Sequence, residues 1–316
     1  MNTSKNKNLY LILGAVAVVA AGCCVVLVLA WAVLLPVYRS QTAVRGLVSS
    51  PPAVITMPVI PLGSEVPTVP PATEAPPSPS PTTLPPTTEA PPTISYEGID
   101  FTFGPAIAQN AQPEIVPAAP GDPNNSFPGD VHPQYYLFSL NGYPLANTFH
   151  QPKIYIYPAR DYGTMDPNVA QIVLQLQQAL AQKSAPAKDI PFLPIWNAAQ
   201  MLTANIKFVD FKNGSGIRFL SQYGQAFAPI NNHDLFYTFQ GLTSDGAWYV
   251  SAILPVSNPI LPNDDQAVPG GDWEAFGQNF ATYITDITAK LAAQLDGSFT
   301  PNLAVLDAMI QSLKVK

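Results

Sequence analysis

Three regimes of hydrophobic patterning follow one another along the chain. Leu9 to Leu35 is 27 residues without a charge or a strongly polar side chain. Residues 51–92 show no period and hold 15 prolines. From Ile94 onward apolar and polar positions recur at periods of 2 and 3.6, the signatures of strands and helices.

Within that last regime the elements can be read in turn. Ile94 to Phe103 alternates and predicts a strand or tight hairpin about Glu97-Gly98. Residues 104–133, rich in Pro, Gly and Asn, read as a long loop. Tyr135–Leu140 and Lys153–Tyr157 read as strands, with a turn at Asn141-Gly142 after the first. Asp166 caps a helix that has Pro167 at its first position, with Val169, Ile172, Val173, Leu176 and Leu180 on one face. A meander follows: a strand through Leu202, Ala204, Ile206 and Phe208, a turn at Asn213–Gly216, a return over Ile217–Tyr223, then Leu235–Leu242 and Ala247–Leu254 about Ser244-Asp245-Gly246. Asp272 caps a long helix whose stripe runs from Phe276 to Leu295, and Thr300-Pro301 starts a last one burying Leu303, Leu306, Met309, Ile310 and Leu313. The fold class is α+β: an antiparallel sheet packed by helices on one face.

The apolar run predicts a transmembrane helix. At ~1.5 Å per residue it reaches about 40 Å, longer than a ~30 Å hydrocarbon core. Trp31 and Tyr38 suit the interface at its far end. A cleaved signal has an apolar region half as long. Val19-Ala20-Ala21-Gly22-Cys23 resembles a lipobox, but Ala stands where Leu is usual and the residues after Cys23 stay apolar. The organisation expected is a cytoplasmic tail at 1–8, a transmembrane helix at 9–38, a Pro/Thr-rich stalk at 39–93 and an extracytoplasmic domain at 94–316. Lys5 and Lys7 before the span nearly balance Arg39 and Arg45 after it. The stalk and the acidic domain therefore set the orientation: N-terminus inside, single-pass plasma membrane, domain outside. In the stalk, Thr73-Glu74-Ala75-Pro76-Pro77 recurs as Thr88-Glu89-Ala90-Pro91-Pro92. Prolines at this density forbid helix and sheet and favour polyproline II, a spacer rather than a docking motif because no basic residue flanks its P-x-x-P steps.

Composition changes the picture in two ways. The formal net charge is −7, and four of the 14 Lys and Arg residues flank the apolar span, so the domain is more acidic than the total. Such a surface repels phosphate backbones and excludes nucleic acid as a partner. Both cysteines, Cys23 and Cys24, lie in the span, which leaves the domain without disulfides.

Candidate chemistry is sparse. No G-x-S-x-G, P-loop or dinucleotide fingerprint occurs, no cofactor is implied, and Gly214-Ser215-Gly216 reads as a turn. The expectation is that the chain is not an enzyme. Hard oxygen donors gather at Asn263, Asp264, Asp265, Asp272 and Glu274, and again at Asp122, Asn124, Asn125 and Asp130, without EF-hand spacing. His132, His150 and His233 lack zinc-site spacing. Arg218, on a strand between apolar residues, is a ligand candidate with Tyr237 and Trp248, against the plainer reading of a solvent-face Arg beside an acid. Tyr135, Tyr136, Tyr155, Tyr157 and Tyr249 line a groove or simply fill the core.

The opening Tyr96-Glu97-Gly98-Ile99-Asp100-Phe101, the central meander and the closing Leu306–Lys314 together resemble the Mog1/PsbP-like α/β/α sandwich family. The long Pro/Asn loop after Phe103 departs from that pattern. The resemblance implies binding and assembly rather than catalysis and carries over no functional residue. The function expected is a membrane-anchored extracytoplasmic module that binds a protein or envelope component. The alternatives are a structural spacer without a ligand of its own and a tethered hydrolase.

Overall fold

The computed structural model describes residues 91–266 and 268–316, so the segment read as a transmembrane helix and nearly all of that read as a stalk lie outside the described residues. Among the described residues no helix is long and apolar enough to cross a membrane. Thr83–Lys316 is a compact unit, and every residue of the two apolar clusters described below belongs to it. A unit that buries both its cores internally is expected to fold without what precedes it.

The first element is the predicted hairpin, β1 (Thr93–Tyr96) against β2 (Ile99–Thr102). Glu97 and Gly98 carry φ of 51° and 78°. Two left-handed residues in succession match a two-residue turn to the twist of its strands. Ile99 and Phe101 are buried and Asp100 and Thr102 are not, as the alternation requires.

Seven strands form the central sheet: β3 (Asn110–Val116), β4 (Tyr135–Asn141), β5 (Lys153–Pro158), β7 (Ala204–Phe211), β8 (Gly214–Ser221), β10 (Phe236–Thr243) and β11 (Trp248–Pro255). Their order is β3-β4-β5-β11-β10-β8-β7, and every neighbouring pair is antiparallel. The short β6 (Ala199–Gln200) and β9 (Tyr223–Gly224) pair separately. Gly216 and Gly241 face each other on β8 and β10, and the ring of Phe239 lies across both. A Cβ on Gly241 would sit 2.5 Å from that ring, so side chains are excluded there.

Helices cover both faces of the sheet, not one. α1 (Ala159–Met165) and α2 (Pro167–Gln182) bury Tyr162, Val169 and Leu176 against Tyr157, Ile217, Phe219 and Tyr249. On the other face α4 (Phe280–Ala292) and α5 (Leu303–Ser312) bury Ile287, Leu291, Leu306 and Met309 against Ile154, Val250, Phe239 and the β2 residues. The correction has a visible cause. β10 is buried at all eight positions and β11 at seven of eight, without the polar alternation that one-sided cover leaves.

Three further departures are local. β3 lies inside the segment read as loop. Pro113 masks it, yet β3 is an edge strand, where a missing amide donor is tolerated. β7 carries an irregularity between Ala204 and Lys207, with Asn205 at φ 52°. The extra residue shifts the phase, so Val209 and Phe211 face the α4–α5 side while Ile206 is exposed. The long C-terminal helix is divided at Asn279 into α3 (Trp273–Gln278) and α4, and Leu295, placed on its stripe by the sequence, is 80% exposed.

Candidate functional site

Two polar centres sit on opposite faces of the sheet. The first gathers two of the three sequence candidates. Arg218 on β8 and Tyr237 on β10 point to the α5 side, where both meet Asp307. Arg218 Nε and Nη2 donate to the two Asp307 oxygens at 3.1 and 3.3 Å, Nη2 also reaches Asp296 Oδ1 at 3.1 Å, and Nη1 donates to the Asn205 carbonyl at 2.7 Å. Asp307 further accepts from Tyr237 at 3.1 Å and from Lys207 at 2.8 Å. Arg218 and Asp307 are both 3% exposed. Burial alone would depress the Arg218 pKa. The hydrogen bond and charge of Asp307, with Tyr237 and Asp296, outweigh it and leave the pKa raised. Four donors converge on Asp307, and its charge and that of Asp296 balance Arg218 and Lys207. Arg218 is thus neither on a solvent face nor open to a ligand. Its charge ties β8 to α5. Trp248 lies apart, packed with Tyr136 at 5.9 Å and beneath the Lys316 ammonium at 5.2 Å.

The second centre is an open cleft of about 630 Å³ on the α1–α2 face, beyond the reach of those helices. Its floor is sheet: Lys153 and Tyr155 on β5 and Ile253 on β11. One wall is Phe149–Gln151, leading into β5, and the other combines Trp196–Ala198 with Tyr223–Gln225. A second cavity of about 290 Å³ shares Trp196, Ala198 and Tyr223, which form the partition between the two.

Side-chain amides, the buried Gln240 among them, hold the Trp196 wall in place. Gln240 accepts from the Leu193 amide at 2.9 Å and donates to the Leu193 carbonyl at 3.2 Å. The same side chain bonds Ser251 and accepts from Tyr249. Gln200 accepts from the Ile190 amide at 3.0 Å and donates to Tyr223 at 2.9 Å. Gln225 donates to the Asn197 carbonyl at 2.6 Å, and the β6–β9 pair ties the two halves of the wall together. Gln240, which is buried, and Gln200, which is partly buried, each pair both a donor and an acceptor, as a buried amide must.

The rings are arranged as a cluster. His150 stacks flat on Trp196, with centroids 4.7 Å apart and planes 8° from parallel, and meets Phe236 and Phe149 edge-on. Trp196 in turn contacts Phe192 and Tyr223. Burial pulls the His150 pKa down to about 4, against the opposing pull of Asp234, so the ring is neutral at pH 7. The Tyr155 phenol is pushed up to about 12 by burial and by Tyr135, so it stays protonated. No carboxylate lines the cleft, and among the described residues Lys153 makes no ion pair. The arrangement suits recognition: apolar rings for contact, amides and a phenol for hydrogen bonds, one cation for charge.

The oxygen-rich segments serve the backbone. Asp122 accepts from Asn124 and Asn125 in a turn, and the Asn124 amide holds its carboxyl below the usual range. Asp272 caps α3 through the amides of Glu274 and Ala275, and Asp264 accepts from the Gln266 amide. Asp130 bonds Phe127 through its amide. Among the described residues no three His, Cys, Asp or Glu groups are placed to hold a metal ion. His233 pairs with Asp234 at 2.7 Å, and His132 lies at 3.0 Å from the Pro133 carbonyl.

Of the cleft, sequence reasoning named only Tyr155 as a groove residue. His150, Lys153, Trp196 and Tyr223 were missed as a set, because three separate segments bring them together. The one local signal was large aromatic residues, Phe149 and Trp196, in stretches without strand or helix period. No family model matches the chain, and no curated protein and no solved structure matches it.

Proposed function

We propose that residues 94–316 are an extracytoplasmic binding module, carried on the transmembrane helix at 9–38 and spaced from the membrane by the stalk at 39–93. Its binding site is the aromatic cleft floored by Lys153 and Tyr155 and walled by Trp196. The observation that carries the reading is the combination of a roomy concave site, partly exposed aromatic rings along it and a wall held by side-chain amides. A surface with no ligand has no need of such a preformed wall. A α/β/α layering and a role in binding are also what the Mog1/PsbP-like resemblance implies. The length of the apolar run at 9–35 supports the tether.

The test is a titration of residues 83–316 with the aromatic anion 1-anilinonaphthalene-8-sulfonate, in buffer without detergent. Saturable binding at one site, weakened about tenfold or more by Trp196→Ala, is expected. Absence of saturable binding, or binding indifferent to both Trp196→Ala and Tyr155→Ala, would leave a spacer domain without a ligand as the better reading.

A further inference from the structure

We propose that the cleft takes an extended proline-rich strand carrying a carboxylate, and that the strand it takes is the Thr-Glu-Ala-Pro-Pro motif in the stalk of a second copy of this chain. The proposal rests on the cleft being the binding site, and it names the occupant.

The first argument is shape. A polyproline II strand has no internal hydrogen bonds and presents its rings on successive faces, which aromatic grooves receive at little cost in chain entropy. The rings of Tyr155, Trp196 and Tyr223 offer such walls. Proline supplies carbonyls and no amide hydrogens, so a cleft for it must donate. Gln151, Asn197 and the Tyr155 hydroxyl are donors on its rim and floor.

The second argument is charge, and it comes from a different part of the chain. Among the described residues, Lys153 is the only charged one that lines the cleft. Residues 51–92 hold three acids, Glu65, Glu74 and Glu89, and no base. Two of the three stand in the repeated motif, directly before Ala-Pro-Pro. A basic flank, the feature whose absence marked the stalk as a mere spacer, would meet Lys153 as a like charge. An acidic flank meets it as a counter-ion.

The third argument is spacing. The two motifs are 15 residues apart. At ~3.1 Å per residue this is about 46 Å. A domain of some 220 residues has a radius of gyration of ~17 Å, so a copy held at Thr73–Pro77 clears the domain that begins at β1. The Thr88–Pro92 motif instead runs straight into that domain, where the Phe103 amide donates to the Pro92 carbonyl. Copies anchored in one membrane meet at effective concentrations far above those in bulk, which lets a weak single contact hold.

Two measurements test this. A synthetic peptide of residues 70–79 is titrated by calorimetry into residues 91–316, which keep both apolar clusters but lack the Thr88-Glu89-Ala90 part of the second motif. Binding is expected, weakened about tenfold or more when the peptide carries Glu74→Lys, with the preference inverted in the Lys153→Glu domain. Next, two differently tagged full-length copies are mixed in detergent and one is captured. Co-capture is expected to fall severalfold when both carry Lys153→Glu, and to return when Glu74→Lys and Glu89→Lys are added. That return cannot come from misfolding. If the peptide does not bind, or the charge exchange restores nothing, the proposal is overturned. Saturable binding of 1-anilinonaphthalene-8-sulfonate in that same preparation would show that the cleft still binds and only its occupant was misjudged.

Discussion

Arg218 and Lys153 are both cations on the central sheet, and their surroundings are opposites. Arg218 faces α5 with its donors taken up by two carboxylates and a carbonyl. Lys153 faces the cleft on the other side and, among the described residues, pairs with no carboxylate. A buried charge must be neutralised within the fold, and once it is, little is left to offer a ligand. The face that keeps polar groups unpaired toward solvent is therefore the face to search for function. The comparison teaches that residue type alone ranks these two sites wrongly, because an Arg between apolar neighbours draws attention that a Lys at a strand start does not.

The sharpest way to break the comparison is to remove Asp307. Asp307→Ala leaves Arg218 buried with only Asp296, which is partly exposed, as a counter-charge. A loss of ~3–5 kcal/mol in urea unfolding is expected, as for a broken buried pair. The double variant Arg218→Met with Asp307→Leu should recover much of that loss. If Asp307→Ala alone costs under about 1 kcal/mol, the network is not what joins β8 to α5.

Gln240 makes the corresponding test on the cleft side. Gln240→Leu strands the Leu193 amide and the Tyr249 hydroxyl in a buried setting, while the Leu193 carbonyl keeps the Ser251 hydroxyl as a donor. At ~1–3 kcal/mol per stranded group, and with partial relaxation, about 2–4 kcal/mol is expected. Because Leu193 leads to Trp196, probe binding in the cleft should weaken with it. A stability loss with unchanged binding would mean that the wall is held elsewhere, through Gln200 and Gln225.

Much of the fold was legible and the site was not, and the reason is physical. Strands and helices announce themselves through local period, so the hairpin about Glu97-Gly98, α2 with its Asp166 cap and the closing α5 could all be read. β3 hid behind Pro113, and the β7 phase could not be read because a bulge leaves no mark in composition. Sheet order and two-sided cover depend on contacts between residues far apart in sequence. So does the cleft, which joins residues near 150, 196, 223 and 253. Arg218 could be singled out from sequence, but not its fate, because Asp307 lies 89 residues away.

His150 gives a smaller effect that depends on pH. Its ordinary pKa of 6.5 falls to about 4 in the fold because burial disfavours the charged ring. The native state then binds fewer protons than the unfolded state between these values. The stability present above pH 6.5 is lost as pH falls toward 4. Allowing for the ring's partial exposure, about 2 kcal/mol is at stake. Urea unfolding at pH 7 and pH 4.5 should show this loss in the wild-type chain and a shallower one in His150→Phe, which keeps an aromatic ring against Trp196. Equal slopes in the two proteins would mean that other groups carry the acid dependence.

The smallest expected effect is the most telling for the comparison. Lys153→Ala removes a cation that makes no ion pair among the described residues and lies half-buried at the start of β5. Nothing charged is left behind unpaired, so stability should change by no more than about 0.5 kcal/mol, the range of ordinary surface substitutions. Arg218→Ala, which leaves Asp307 buried with Lys207 and Tyr237 alone, should cost several times that. A Lys153→Ala loss as large as the Arg218→Ala loss would mean that the Lys153 ammonium is built into the fold as the guanidinium is, and the contrast between the two faces would disappear.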